Sequence, residues 1–182
     1  MDGNDTIFAV AGTDTVLGGD GDDLISGESG NDNLSGEYGN DEIHGGLGND
    51  IIYGNDDADM LFGDDGDDFL YGNDGEDHLF GGAGNDVLDA NDNLFNLDSN
   101  FFTGGTGNDT IYGSYGSDTY FFNLGDGQDT IHETPADEAY SNIECLDDKI
   151  VFGTGIGPDD LSFARIGYDM VISLANGTDS LT

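Results

Sequence analysis

A nine-residue period limits what this chain can fold into more than any other feature. Aligned on an Asp at the sixth position, residues 9–89 divide without a gap into nine units, among them GGDGDDLIS (18–26), GESGNDNLS (27–35), GGLGNDIIY (45–53) and GGAGNDVLD (81–89). Residues 1–8, MDGNDTIF, are the tail of another unit in the same register. After an insertion at 90–94 a degenerate unit follows at 95–103, with Asp98 in place of the fourth Gly and Asn100 in place of the Asp. The period recovers in GGTGNDTIY (104–112) and GSYGSDTYF (113–121), and a last unit, LGDGQDTIH (124–132), follows two extra residues.

Each unit has two halves. The first six positions hold Gly, Asn and Asp, which reach positive φ at low cost and form turns. The last three form a short extended segment whose eighth position is apolar throughout: Ile7, Val16, Ile25, Leu34, Ile43, Ile52, Leu61, Leu70, Leu79, Leu88, Phe102, Ile111, Tyr120 and Ile131. Side chains alternate faces along a strand, so the eighth position faces a core while the seventh and ninth face out. Two units back to back then make an 18-residue coil. Coils stacked at about 4.8 Å give two parallel sheets, and the first ten units, five coils, span roughly 24 Å. One aliphatic side chain per nine ordered residues does not offset the backbone entropy lost, so another interaction has to hold the coils.

Charge identifies it. The 182 residues carry 40 Asp plus Glu against 2 Lys plus Arg, a net charge of −38, with 32 Gly and 2 Pro. Such a composition borders on that of disordered acidic chains unless the carboxylates are neutralised. Nucleic acid and anionic lipid are excluded as partners because only Lys149 and Arg165 could replace counterions. Helix formers are scarce, one cysteine (Cys145) permits no internal disulfide, and no apolar run approaches membrane-spanning length, so no membrane insertion is expected. The start has no signal-peptide character and the end falls inside a strand-like stretch, as expected of an excised fragment. The sixth-position Asp residues recur 18 apart on stacked coils, where two carboxylates repel unless a cation lies between them. Carboxylates and turn carbonyls form an oxygen-only ligand set, which suits Ca²⁺ better than Mg²⁺ or Zn²⁺.

Units GGDGDDLIS, GGLGNDIIY, GGAGNDVLD and GGTGNDTIY resemble the repeats-in-toxin (RTX), hemolysin-type calcium-binding nonapeptide GGxGxDxUx, itself the reference case of a Ca²⁺-binding parallel β-helix. The resemblance implies an all-β, right-handed parallel β-roll in which each calcium lies between turns two units apart. It is held by carbonyls of positions two and four and the Asp of one turn, with carbonyls of positions one and three and the Asp of the later turn. One such set is Gly19, Gly21 and Asp23 with Gly36, Tyr38 and Asp41. Carried along the chain, position one supplies Gly18, Gly27, Gly36, Gly45, Gly63, Gly72, Gly81 and Gly104, and position two Gly19, Glu28, Glu37, Gly46 and Asp64. Position three supplies Asp20, Ser29, Tyr38, Leu47, Asp65, Asp74, Ala83 and Thr106, and position four Gly12, Gly21, Gly30, Gly39, Gly48 and Gly66. The carboxylates are Asp5, Asp14, Asp23, Asp32, Asp41, Asp50, Asp59, Asp68, Asp77, Asp86, Asp109, Asp118 and Asp129. Ten units make eight such pairs in the first block; eight ions at two charges each would bring −38 to about −22. Asp57, in place of a fourth-position Gly, and Asn100 mark weaker turns. The side chains of Asp20, Asp22, Asp65 and Asp67 are expected to face outward and attract cations without ligating them.

The chain thus divides into a main roll (1–89), an insertion and degenerate repeat (90–103), a continuation of the roll (104–132) and a truncated β-rich capping extension (133–182). In the last, Thr134-Pro135-Ala136-Asp137 reads as a short helical turn, and 148–152, 161–165 and 170–174 read as strands. SDTYFFNLGDGQDTI, DDKIVFG and DLSFARIGYDMVISL resemble the extension that follows such repeats in large secreted proteins.

Catalytic patterns fail. His132-Glu133 lacks the second His of a zinc protease motif, no G-x-S-x-G occurs, EF-hand spacing is missing, and each Gly-rich loop ends in Asp where a phosphate loop needs Lys. His44, His78 and His132 fall at outward positions. Ile51, Tyr53, Met60, Phe62, Phe69, Tyr71 and Phe80 are also outward, read either as β-propensity on exposed strands or as a surface for self-association or a partner. The expectation is a non-enzymatic calcium-binding module, secreted to the extracellular space or cell surface by a type I apparatus and folding there on calcium. The alternatives are an adhesive or carbohydrate-contacting module of a large adhesin, or an accessory module of a secreted protease, lipase or polysaccharide epimerase.

Overall fold

The structure, a computed structural model, describes residues 2–91, 97–132, 148–166, 169–174 and 179–182. Ten strands build the first block: β1 (Thr6–Phe8), β2 (Thr15–Asp20), β3 (Leu24–Ser26), β4 (Asn33–Tyr38), β5 (Glu42–Leu47), β6 (Ile51–Asp56), β7 (Met60–Asp65), β8 (Phe69–Asp74), β9 (His78–Ala83) and β10 (Val87–Asp89). The second block adds β11 (Phe101–Thr106), β12 (Thr110–Tyr112), β13 (Thr119–Phe122) and β14 (Gln128–His132). Odd strands stack in one parallel sheet and even strands in another, as a two-unit coil requires. In the first block the register is a constant 18 residues, as in Ile7↔Ile25, Ile43↔Leu61 and Leu70↔Leu88. Leu79↔Phe102 and Ile111↔Ile131 show that the insertions at 90–94 and 122–123 change the register without breaking the stack. The sequence therefore folds as a parallel β-roll.

The core is the eighth-position column. Ile25, Leu34, Ile43, Ile52, Leu61, Leu70, Leu79, Leu88 and Phe102 are fully buried, and Ile111 and Tyr120 nearly so. Ile7, Val16 and Ile131, near the ends, are only partly covered.

Strand extent differs from the sequence expectation. Strands β2, β4 to β9 and β11 run six residues, from position seven through position three of the next unit, rather than three. Stacking pairs the front of each turn with the same part of the coil below, whatever its side chains: Gly46 lies opposite Asp64, and Leu47 opposite Asp65. The position-three carbonyls are therefore not left unsatisfied, since Gly21 N–H donates to Tyr38 O at 2.8 Å and Gly48 N–H to Asp65 O at 2.8 Å.

Beyond the repeats, β15 (Lys149–Phe152) joins the odd sheet parallel to β13, a 3-10 turn covers Pro158–Asp160, and β16 (Leu161–Ile166) and β17 (Asp169–Leu174) form an antiparallel pair. The short β18 (Ser180–Leu181) pairs with β17 antiparallel and with β14 parallel, so this pair continues the even sheet. Phe122, Ile172, Leu174 and Leu181 form a second small core against Ile131 and Phe152. The strands expected at 148–152, 161–165 and 170–174 are thus present, while the helical turn expected at 134–137 lies outside the described residues.

Truncating the core column should cost most in mid-roll. Leu61→Ala is expected to lower the unfolding free energy of the calcium-loaded protein by roughly 2–5 kcal/mol, and Ile7→Ala by clearly less. Urea unfolding in calcium measures both.

Candidate metal centre

The sixth-position residues form two ladders, one along each edge of the roll. One runs Asp5, Asp23, Asp41, Asp59, Asp77, Asn100, Asp118 and Asp148; the other runs Asp14, Asp32, Asp50, Asp68, Asp86, Asp109 and Asp129. At each step the backbone N–H of one residue donates to the side-chain Oδ1 of the next, at 2.7–3.0 Å. From Asp23 to Asp129 these side chains are almost fully buried. The other carboxylate oxygen, Oδ2, of Asp5, Asp14, Asp23, Asp32, Asp41, Asp50, Asp59, Asp68, Asp86 and Asp109 is buried and accepts no hydrogen bond. A row of buried carboxylate oxygens without donors is costly to ionise unless a cation compensates them.

The surroundings fit one. A Cβ on Gly18 would collide with Asp23 Oδ2 and lie 2.7 Å from Gly36 O, so the position-one glycine leaves a cleft where a carboxylate oxygen meets a carbonyl of the next coil. Gly27, with Asp32 Oδ2 and Gly45 O, and Gly45, with Asp50 Oδ2 and Gly63 O, repeat the arrangement. Among the described residues no three His, Cys, Asp or Glu side chains gather as a metal site. The donors available are pairs of carboxylates supplemented by backbone carbonyls, a hard oxygen set.

Electrostatics agree. Burial, opposed by the backbone hydrogen bond and reinforced by neighbouring carboxylates, raises Asp59 from 3.8 to about 8. Burial likewise raises Asp68, Asp86 and Asp129 to about 7, and Asp41 and Asp109 to about 6.

Sequence reasoning missed two parts of this edge. Asp148, outside the repeats, takes the N–H of Asp118 at 3.0 Å and so continues a ladder. Its signal was the D-x-U spacing of Asp148-Lys149-Ile150. The fifth position makes a ladder of its own: Asp22 N–H donates to Asn4 Oδ1, Asn40 N–H to Asp22 Oδ1, and Asn85 N–H to Asp67 Oδ1. Asp22 and Asp67 are exposed, as expected of outward side chains, but they also bind the neighbouring coil. Asp20 and Asp65 are exposed at position three, and Asp57 adopts a left-handed φ of 79°.

The outward rings stack along the roll. Tyr53 lies 5.0 Å from Tyr71, Phe62 lies 4.4 Å from His44 and 4.8 Å from Phe80, and His78 lies 4.4 Å from Phe101, all as stacked pairs. Ring faces are thus spent on one another as cross-strand pairs. Ile51 is half-buried, while Met60 and Phe69 are exposed. His44 also lies between Glu42 (3.2 Å) and Asp64 (3.3 Å).

A family model, the RTX calcium-binding nonapeptide repeat (4 copies), matches residues 1–34, 26–61, 35–70, 53–88 and 96–131, more than half of the chain. No curated protein matches it.

The raised values fix a pH dependence. A carboxyl that holds its proton more tightly when folded favours the calcium-free fold below its unfolded pKa, and that advantage is lost as pH rises through 6 to 8. A cation held by these oxygens competes with protons for them, so apparent calcium affinity should strengthen as pH rises across that window. Calcium titrations at pH 5.5, 7 and 8.5 check this.

Proposed function

The chain belongs to the RTX calcium-binding nonapeptide repeat family, and from that premise we propose that it is a folding-on-calcium structural module of a larger secreted protein, without catalysis of its own. The observation that carries the reading is the row of buried, donorless Oδ2 atoms. In the proposed sets, Asp23 and Asp41 hold one ion with the carbonyls of Gly19, Gly21, Gly36 and Tyr38, and the same set recurs every nine residues. Eight ions fall in the first block. Asp86 with Asp109, and Asp109 with Asp129, extend one edge.

Calcium supplies two positive charges to a place that already holds converging oxygens. The chain's own contribution is to bring those oxygens together: the turn glycines let the backbone approach, the Asp N–H to Oδ1 contacts set the spacing, and the eighth-position column holds the coils in register. Extracellular calcium modules bind at about 10⁻⁴–10⁻³ M, so such sites are empty in a cytosol and filled outside the cell. Binding free energy then becomes folding free energy. This suits a chain exported unfolded, by a type I apparatus, whose self-repulsion keeps it open until calcium is met. The proposed location is extracellular or at the cell surface.

Far-ultraviolet circular dichroism in chelator should show a disordered chain, with β structure appearing cooperatively as calcium reaches the millimolar range. Full β structure in chelator would overturn the proposal.

A further inference from the structure

One turn is built differently from the rest. Among the described residues of the preceding turns, position two is left-handed whatever its identity, as at Gly19 (φ 119°), Glu37 (φ 85°), Asn73 (φ 73°) and Gly105 (φ 103°). Position four is left-handed too, as at Gly30 (φ 130°), Asp57 (φ 79°) and Gly107 (φ 148°), with Asp98 the exception. In the turn 113–118 neither Ser114 nor Gly116 has a positive φ. The consequence is a reversed polarity at the carboxylate. Ser114 N–H donates to Asp118 Oδ2 at 2.8 Å, whereas the same oxygen of Asp86 or Asp109 accepts nothing.

The Ser114 hydroxyl completes the substitution. Its Oγ lies 3.2 Å from Asp118 Oδ2 and 3.4 Å from Oδ1, 3.4 Å from the Asp98 carbonyl oxygen and 3.4 Å from Asn100 Nδ2, and it accepts the Gly116 N–H at 3.1 Å. Asp98 O is the position-four carbonyl of the earlier turn, while Asn100 and Asp118 are the sixth-position pair of the two turns. These are groups that would surround an ion at an ordinary rung. Ser114 is 7% exposed, and Asn100 and Asp118 are fully buried. Asn100 is neutral, so this rung, like the Asp77–Asn100 rung before it, carries one carboxylate where the rest carry two.

We propose that the Asn100–Ser114–Asp118 rung closes without calcium, with the Ser114 hydroxyl and N–H standing where other rungs place the ion. The inference rests on the calcium reading of the other rungs. It makes the two edges unequal: one carries paired carboxylates as far as Asp129, while the other is interrupted at Asn100 before Asp118 meets Asp148.

Anomalous diffraction from crystals of the full chain grown in calcium tests it. The wild-type protein should show anomalous peaks at the rungs that carry two carboxylates and none between Asn100 and Asp118. The double variant Asn100→Asp with Ser114→Gly, which restores the paired carboxylates and removes the hydroxyl, should gain an anomalous peak between positions 100 and 118. A wild-type peak between Asn100 and Asp118 alongside the others overturns this inference alone, as does the absence of a new peak there in the double variant. A wild-type protein without peaks anywhere overturns the calcium reading and this inference with it. The wild-type map decides the question even if the double variant fails to fold.

Discussion

Everything in this roll depends on repulsion between buried carboxylates stacked one coil apart. Their Oδ1 atoms are anchored by backbone N–H groups of the neighbouring coil, and their Oδ2 atoms are turned into clefts lined by carbonyl oxygen. Such a row opposes folding when bare, because each charge is desolvated beside another of the same sign. The rest of the architecture is arranged to bring these groups together nonetheless. The hydrophobic column fixes register, the position-one glycines admit the oxygens, and the fifth-position side chains clamp adjacent turns. About a third of the chain's 40 Asp and Glu residues therefore sits on these two edges.

The fold was legible because its two determinants repeat with one period. The apolar eighth position names the core, and Leu34, Leu61 and Leu88 are buried where a period of nine places them. The sixth-position Asp names the edge for the same reason. What was not legible lies where geometry is supplied by the neighbouring coil rather than by the residue. Position two shows this: Glu28, Asn55 and Asp64 adopt the left-handed turn as glycine does, so a serine at that position gives no warning that Ser114 does not. The six-residue strands escaped notice because a Gly-Asn or Gly-Asp pair reads as turn until a second coil lies against it.

Asp148 illustrates a different limit. It pairs with Asp118 across a separation of 30 residues, so no fixed period points to it, and only the contact shows its role. The same holds for β18, whose Leu181 joins the second core although the sequence around it shows no repeat. Through β15 and β18 the segment after the repeats shares hydrogen bonds with the last coils, so both sheets continue past the point where the repeat pattern ends.

The 18-residue register has a mechanical meaning. A coil occupies about 4.8 Å of the roll's axis, yet pulled straight its 18 residues span about 60 Å. Each coil touches only its neighbours, so tension along the chain would release coils singly, each lengthening the molecule more than tenfold over the axis it gave up. A chain coiled this way has an end-to-end length under tension set by how many coils remain closed.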